Sequence, residues 1–220
     1  MTRAFGVVGR HLADAPGTFM WLAVLAVTTR VQRSAGRERS QLLRSQSTNL
    51  NHLSEEPTRV LAASLFWLDG KRWWPYAPPF AAVLAPAERR LGTFRWLVVG
   101  AAAHVIGTFL GQGYLRWSIR AEQAPLRLAD AHDVGVSYFL LGVTGTLLAY
   151  LPRRYRSRVR AAGVAVLAAN ALIQPTFTEV GHLSAFVTGL ALSPLAIDRD
   201  RHPYPGIQRH AHWPGFRCRV

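Results

Sequence analysis

Seven apolar stretches of this 220-residue chain contain no Asp, Glu, Lys or Arg: 15–29, 60–68, 73–87, 96–115, 134–152, 161–178 and 180–197. Four of them reach 18 residues or more. A helix of about 20 residues, rising 1.5 Å per residue, crosses a hydrocarbon core of about 30 Å. The charge pattern therefore points to a membrane-embedded helical bundle and away from a soluble globule. Whole-chain averages conceal this, because half the residues are apolar, 17% are charged and the mean hydropathy is only +0.09. The length suits one domain or at most two.

The net charge of +14 raises the question of nucleic acid. Its distribution answers against it. The basic residues lie between the apolar stretches and in the tails, with no basic stripe on an amphipathic helix and no zinc-finger, RRM or helix-turn-helix signature. A single cysteine, Cys218, excludes an intramolecular disulfide and a CxxC metal site. No cofactor or metal is expected. Arg3 and Arg10 precede the stretch 15–29, but the following TTRVQRSAGRER offers no small-x-small cleavage site, so the first helix is expected to be retained.

The spacing predicts an all-α polytopic protein with six membrane helices at about 15–31, 61–86, 94–115, 134–151, 159–175 and 180–197. In the second, Asp69, Lys71 and Arg72 interrupt the run, and Pro75, Pro78 and Pro79 should kink it or start it late. The polar run 30–59 is too long for a tight turn, and Ser54-Glu55-Glu56-Pro57 should cap a short helix entering the membrane. Lys and Arg concentrate on the cytoplasmic side of short loops. The loop 152–160 holds five arginines and no acid, 86–95 holds Arg89, Arg90 and Arg95, and 174–179 holds no basic residue. Residues 1–14 and 198–220 then become cytoplasmic tails of an integral protein of the cell membrane, with 15–197 as its membrane domain. The six arginines against three acids in 30–59 run counter to this, since that segment would face outside.

Ionisable side chains within spanning segments are costly, and each is a functional hypothesis by default. His104 and His182 qualify. Gly181, Ala185, Gly189 and Ser193 place a small residue every fourth position around His182, which lets a second helix approach closely. The 134–151 segment, with Ser137 near its start and Gly142 and Gly145 beyond, is the natural partner. In the derived topology both helices run inward, so Ser137 and His182 share a depth. A hydroxyl is a weak nucleophile without an adjacent base, which a neutral histidine supplies. Ser137 bonded back to its own helix and His182 bonded to a backbone carbonyl are the structural alternatives. No acidic third member is evident at membrane depth: Asp133 and Glu179 read equally well as capping or interfacial groups.

Gly135-Val136-Ser137-Tyr138, Gly181-His182-Leu183-Ser184-Ala185 and the phrase ERRLGTFRWLVV from Glu88 to Val99 together resemble the rhomboid family of intramembrane serine proteases. The resemblance covers roughly residues 15–197 and implies a six-helix core, a nucleophile at Ser137 and a base at His182. The Ser137 N–H would be one oxyanion donor, Gly135 would support it, and the segment 116–133 would dip into the bilayer to admit water to the pair. Most rhomboids carry glycine where this chain has Tyr138, a ring expected to crowd the substrate or reshape the pocket. They also place a histidine and, four residues on, an asparagine on the second helix; Arg72 and Tyr76 fall near those places here and match neither. His104 and Thr108, one turn apart on the third helix, either substitute for that pair or form a separate structural hydrogen bond. The implied partners are the lipid bilayer and a transmembrane protein, either as protease substrate or as client of a non-catalytic relative that binds membrane helices. A small-solute transporter is disfavoured by the lack of internal repeats and paired broken helices.

Overall fold

The computed structural model describes residues 14–196 except 71 and 132. The expected tails, beyond residue 14 at one end and from 198 at the other, and Cys218 with them, lie outside the described residues. The first helix, α1 (Pro16–Ser34), begins with proline at a position where a missing N–H costs nothing. Its open amides are not capped locally. The buried Glu88, far along the chain, accepts from Gly17 N at 2.9 Å and Thr18 N at 2.7 Å, and from the Thr93 hydroxyl at 2.8 Å. A carboxylate at a helix N-terminus also complements the helix dipole.

The polar run after α1 is not a loop but a chain of short helices, α2 (Arg39–Ser45), α3 (Leu50–Glu55) and α4 (Pro57–Ser64). Asn49 caps α3 by accepting from His52 N. The expected Ser54 cap is corrected: the Ser54 hydroxyl bonds back to Asn51 O inside α3, and α4 starts at Pro57 behind Glu56 with no side-chain cap. The expected single helix over 61–86 is also corrected. The chain leaves helix after Ser64 and resumes as a single-turn helix Trp74–Tyr76. It continues without a break through Ala77–Pro79, a π-helical turn at Phe80–Leu84, and Ala85–Leu91, the last three forming α5. Prolines 75, 78 and 79 explain the late start, since each removes a backbone donor and they tolerate helix only in its first turn. Gly92, at φ +80° and ψ 151°, ends α5 and turns the chain directly into α6 (Thr93–Arg120).

α6 is the centre of the bundle. It is 28 residues, and among the described residues it is the one helix long and apolar enough by length and composition to cross a membrane. Trp96, Val99, Gly100, Ala103, His104, Gly107, Thr108, Gly111, Gln112, Leu115 and Ser118 recur at alternating spacings of mostly three and one along its buried face. Phe94, Leu97, Ile106, Phe109, Leu110 and Trp117 stand exposed on the other. After a short helical turn at Leu126–Asp130 come α7 (Val136–Leu147), α8 (Arg153–Ile173) and α9 (Phe177–Ala191). α9 lies antiparallel to α6: a Cβ on Gly111 would come within 2.6 Å of Phe177 O, and one on Gly107 within 3.0 Å of Gly181 O. α7 runs alongside α9 in the same direction. Gly142 and Gly189 touch backbone to backbone there, and the Thr146 hydroxyl donates to Gly189 O at 2.7 Å. Small residues at these positions remove the side-chain layer that would otherwise hold the helices apart.

Beneath α1, an aromatic cluster of Trp21, Phe80, Trp96 and Phe139 fills the interior, with ring centroids 4.6–6.1 Å apart. Gly100 makes room for the Phe139 ring, which a Cβ would meet at 2.1 Å. α8 is different. It packs antiparallel on α9 and contributes no buried residue, while Val166, Leu172 and Ile173 are largely exposed.

Candidate active site

Ser137 is the second residue of α7 and His182 the sixth of α9. Because the two helices run in parallel at close contact, the side chains meet: Ser137 Oγ lies 3.0 Å from His182 Nε2. Both residues are half-buried, so the pair is neither sealed in the core nor free in solvent. The Ser137 N–H sits in the first turn of α7, where helix geometry offers no acceptor four residues back.

The other imidazole nitrogen, Nδ1, lies 3.4 Å from Glu179 Oε2. That carboxylate is itself held. Asn170 Nδ2, reaching across from α8, donates to the same oxygen at 2.5 Å, and Glu179 N–H donates to the α9 cap, Thr176 Oγ1, at 3.3 Å. This corrects the expectation that no acid reaches the pair. Glu179 precedes His182 by three residues, and on a helix that spacing sets two side chains on one face a turn apart. The E-x-x-H spacing was therefore a readable signal, whereas Asn170 had none, since only tertiary packing brings it to Glu179.

Tyr138 also departs from expectation. It does not project toward an opening but is fully buried, with its ring edge against His182 (centroids 5.4 Å apart, interplanar angle 71°). Gly181 makes this possible, as a Cβ there would come within 2.6 Å of the ring. The Tyr138 hydroxyl donates to Asp133 Oδ1 at 3.1 Å, and Gln112 Nε2 donates to Asp133 Oδ2 at 3.0 Å. Asp133 N–H donates to Ser47 Oγ at 2.6 Å, and its carbonyl accepts from Thr48 N at 3.1 Å. Asp133 thus ties the short helices of the 30–59 region to the segment that leads into Ser137.

His104 and Thr108 stand apart from the pair. His104 Nε2 donates to Leu61 O at 3.0 Å and lies 3.2 Å from Ser64 Oγ, which itself donates to Leu61 O. Thr108 is buried with no hydrogen-bond partner among the described residues. Neither bonds Ser137 or His182, so the structural alternative for His104 is the one its contacts match. Gly135 rests on the His104 ring, where a Cβ would come within 1.9 Å of Cε1, and its N–H donates to Ser64 O at 3.2 Å. Its part is to let the start of α7 seat against α4 and α6. Arg72 lines a cavity of about 340 Å³ with Ala26, Thr29, Arg30, Arg33 and Trp74 on the α1 side of the molecule.

Against known proteins, a family described as rhomboid-like protein matches residues 10–202, which is most of the chain. This chain belongs to the rhomboid-like family. No curated protein and no solved structure matches it. Family membership makes it a rhomboid-like membrane protein, in keeping with the all-helical fold and the apolar outer face of α6. Among the described residues of this rhomboid-like protein, no group of three or more His, Cys, Asp or Glu is arranged to hold a metal.

Proposed function

We propose that this rhomboid-like protein is an intramembrane serine endopeptidase that cleaves transmembrane segments of other proteins. The observation that carries the reading is the 3.0 Å approach of Ser137 Oγ to His182 Nε2 at the matched ends of two parallel helices. Ser137 Oγ attacks the scissile carbonyl carbon while its proton passes to Nε2. The carbonyl oxygen, now negative, is met by the Ser137 N–H left open at the start of α7. The tetrahedral intermediate collapses, His182 returns the proton to the departing amine, and the C–N bond breaks. Water, deprotonated by His182, then hydrolyses the acyl-enzyme and restores the serine. In this reading residues 15–197 form the membrane domain, six segments span the bilayer of the cell membrane, and both termini are cytoplasmic.

The second reading is a non-catalytic relative that binds membrane helices. It is favoured by one observation: neither Arg72 nor His104 is placed to serve Ser137 as a second oxyanion donor, because Arg72 lines a cavity beside α1 and His104 is engaged with Leu61. Loss of one such donor costs about 10²–10³ in rate elsewhere, which slows a protease without abolishing it. Fluorophosphonate labelling of the detergent-solubilised protein separates the two. Labelling of the wild type, abolished by Ser137→Ala and nearly so by His182→Ala in folded variants, is the expected result. Wild-type protein that binds membrane-helix peptides yet never labels, where an active rhomboid does, overturns the protease reading.

A further inference from the structure

Serine and histidine alone leave the imidazole free to rotate and to choose either tautomer. The His182 ring here is not free. Tyr138 abuts it edge-on, Ser137 Oγ meets Nε2, and Glu179 Oε2 faces Nδ1. A carboxylate only accepts hydrogen bonds, so the Nδ1 facing it carries the proton, and in the neutral ring Nε2 is then the lone pair that receives the Ser137 hydroxyl. We infer that Glu179 is the positioning residue of a Ser137–His182–Glu179 triad, held in place from α8 by Asn170.

Three observations converge on it. Glu179 contacts His182 at the nitrogen opposite the serine, the arrangement that orients a base in soluble serine proteases. Its carboxylate is tethered by Asn170 Nδ2 at 2.5 Å, a charge-assisted bond from a different helix, which restricts Glu179 to the rotamer that reaches Nδ1. Its backbone is fixed as well, because Thr176 caps the first turn of α9 through the Glu179 N–H. A carboxylate in a first helical turn serves the helix dipole without any partner. A purely capping role, however, explains neither the aim at Nδ1 nor the tether from the half-buried Asn170 on a neighbouring helix. During the reaction Glu179 takes no proton. It holds Nδ1–H and stabilises the positive charge on the imidazolium while Nε2 carries the serine proton.

The inference rests on the protease reading for its consequence but not for its geometry, and the test keeps the two apart. The full chain, purified in detergent, is compared with Glu179→Gln, Glu179→Asp and Asn170→Ser, all checked for helicity and thermal unfolding. The second-order fluorophosphonate labelling rate and the ¹⁵N NMR tautomer of His182 are read in each. Expected is an Nδ1–H tautomer in the wild type, a mixed tautomer and about a 10–10³-fold slower labelling in Glu179→Gln, and recovery of most of the rate in Glu179→Asp. Asn170→Ser, which leaves the carboxylate but removes its tether, should fall in between and serves if Glu179→Gln does not fold. With a helix peptide as substrate, kcat should drop while KM holds. Glu179→Gln labelling at the wild-type rate with Nδ1–H retained overturns the triad while leaving the protease reading intact. A wild type that never labels but shows Nδ1–H, lost in Glu179→Gln, sinks the protease reading and keeps the positioning of His182.

Discussion

Gly189→Ala tests whether the contact between α7 and α9 sets the reacting distance. A Cβ at Gly189 would lie 1.9 Å from Gly142 O and 2.7 Å from the carbonyl carbon behind it. Both are backbone atoms, so no side chain can swing aside. The helices must part by about 1 Å at this level before the contact becomes tolerable. That separation also stretches the 2.7 Å bond from Thr146 Oγ1 to Gly189 O. Helix propensity alone favours alanine by about 1 kcal/mol. Overpacking costs about 1–3 kcal/mol, and the interhelical bond contributes about 0.6 kcal/mol in a membrane setting, so a net loss of about 0.6–2.6 kcal/mol is expected. His182 stands seven residues earlier on α9, about 10 Å along the axis. A splay carried that far lengthens the 3.0 Å Ser137–His182 contact, and a misplacement of about 1 Å costs on the order of 10² in rate. Fluorophosphonate labelling should therefore slow about 10–100-fold, with a lowered Tm in detergent. Gly113→Ala is the control, because a Cβ there meets nothing within 4 Å; it should keep the wild-type rate and a Tm at least as high. Gly189→Ala with wild-type labelling and Tm would refute the claim that this glycine contact determines the geometry.

Tyr138→Phe removes the hydroxyl that donates to the buried Asp133, a loss of about 1–3 kcal/mol read as a fall in Tm. The ring remains against His182, so labelling should stay within about threefold; Tyr138→Gly, which also opens a cavity, should lose both stability and labelling, and faster labelling would show that the ring obstructs the site after all. Glu88→Ala leaves the buried Thr18 amide unpaired, at about 1–3 kcal/mol, and releases the Gly17 amide and the exposed Thr93 hydroxyl, so a Tm equal to wild type would contradict the assignment of Glu88 as the cap of α1. Reporters fused within 152–160 should read cytoplasm and one within 174–179 the outside; an outside signal from the five-arginine segment would invert the proposed topology.

The helical class was legible because charge-free runs and small-residue spacing are properties of one segment at a time. Five helices, α1, α6, α7, α8 and α9, lie over the spans those runs predicted, with shifted ends. The meeting of Ser137 with His182 could be anticipated as well, since glycines at fixed spacing say that two backbones touch and residue counts from the helix starts say at what level. Glu179 was within reach by the same logic, three residues from His182 on one helix, but its reach depends on a rotamer, and Asn170 selects that rotamer from 9 residues away across a turn. The division of 61–86 into two helical pieces and the folding of 30–59 into three short helices depend on partners remote in sequence. Asp133 and Ser47, and Glu88 and Gly17, satisfy one another's backbone or side-chain groups only once the bundle has assembled. Tyr138 makes the point most directly. The 3.6-residue period of a helix places its side chain on a face, but whether that face meets a substrate or the core was decided by Gly181 leaving room for the ring and Asp133 accepting from its hydroxyl, and both conditions exist only in the tertiary structure.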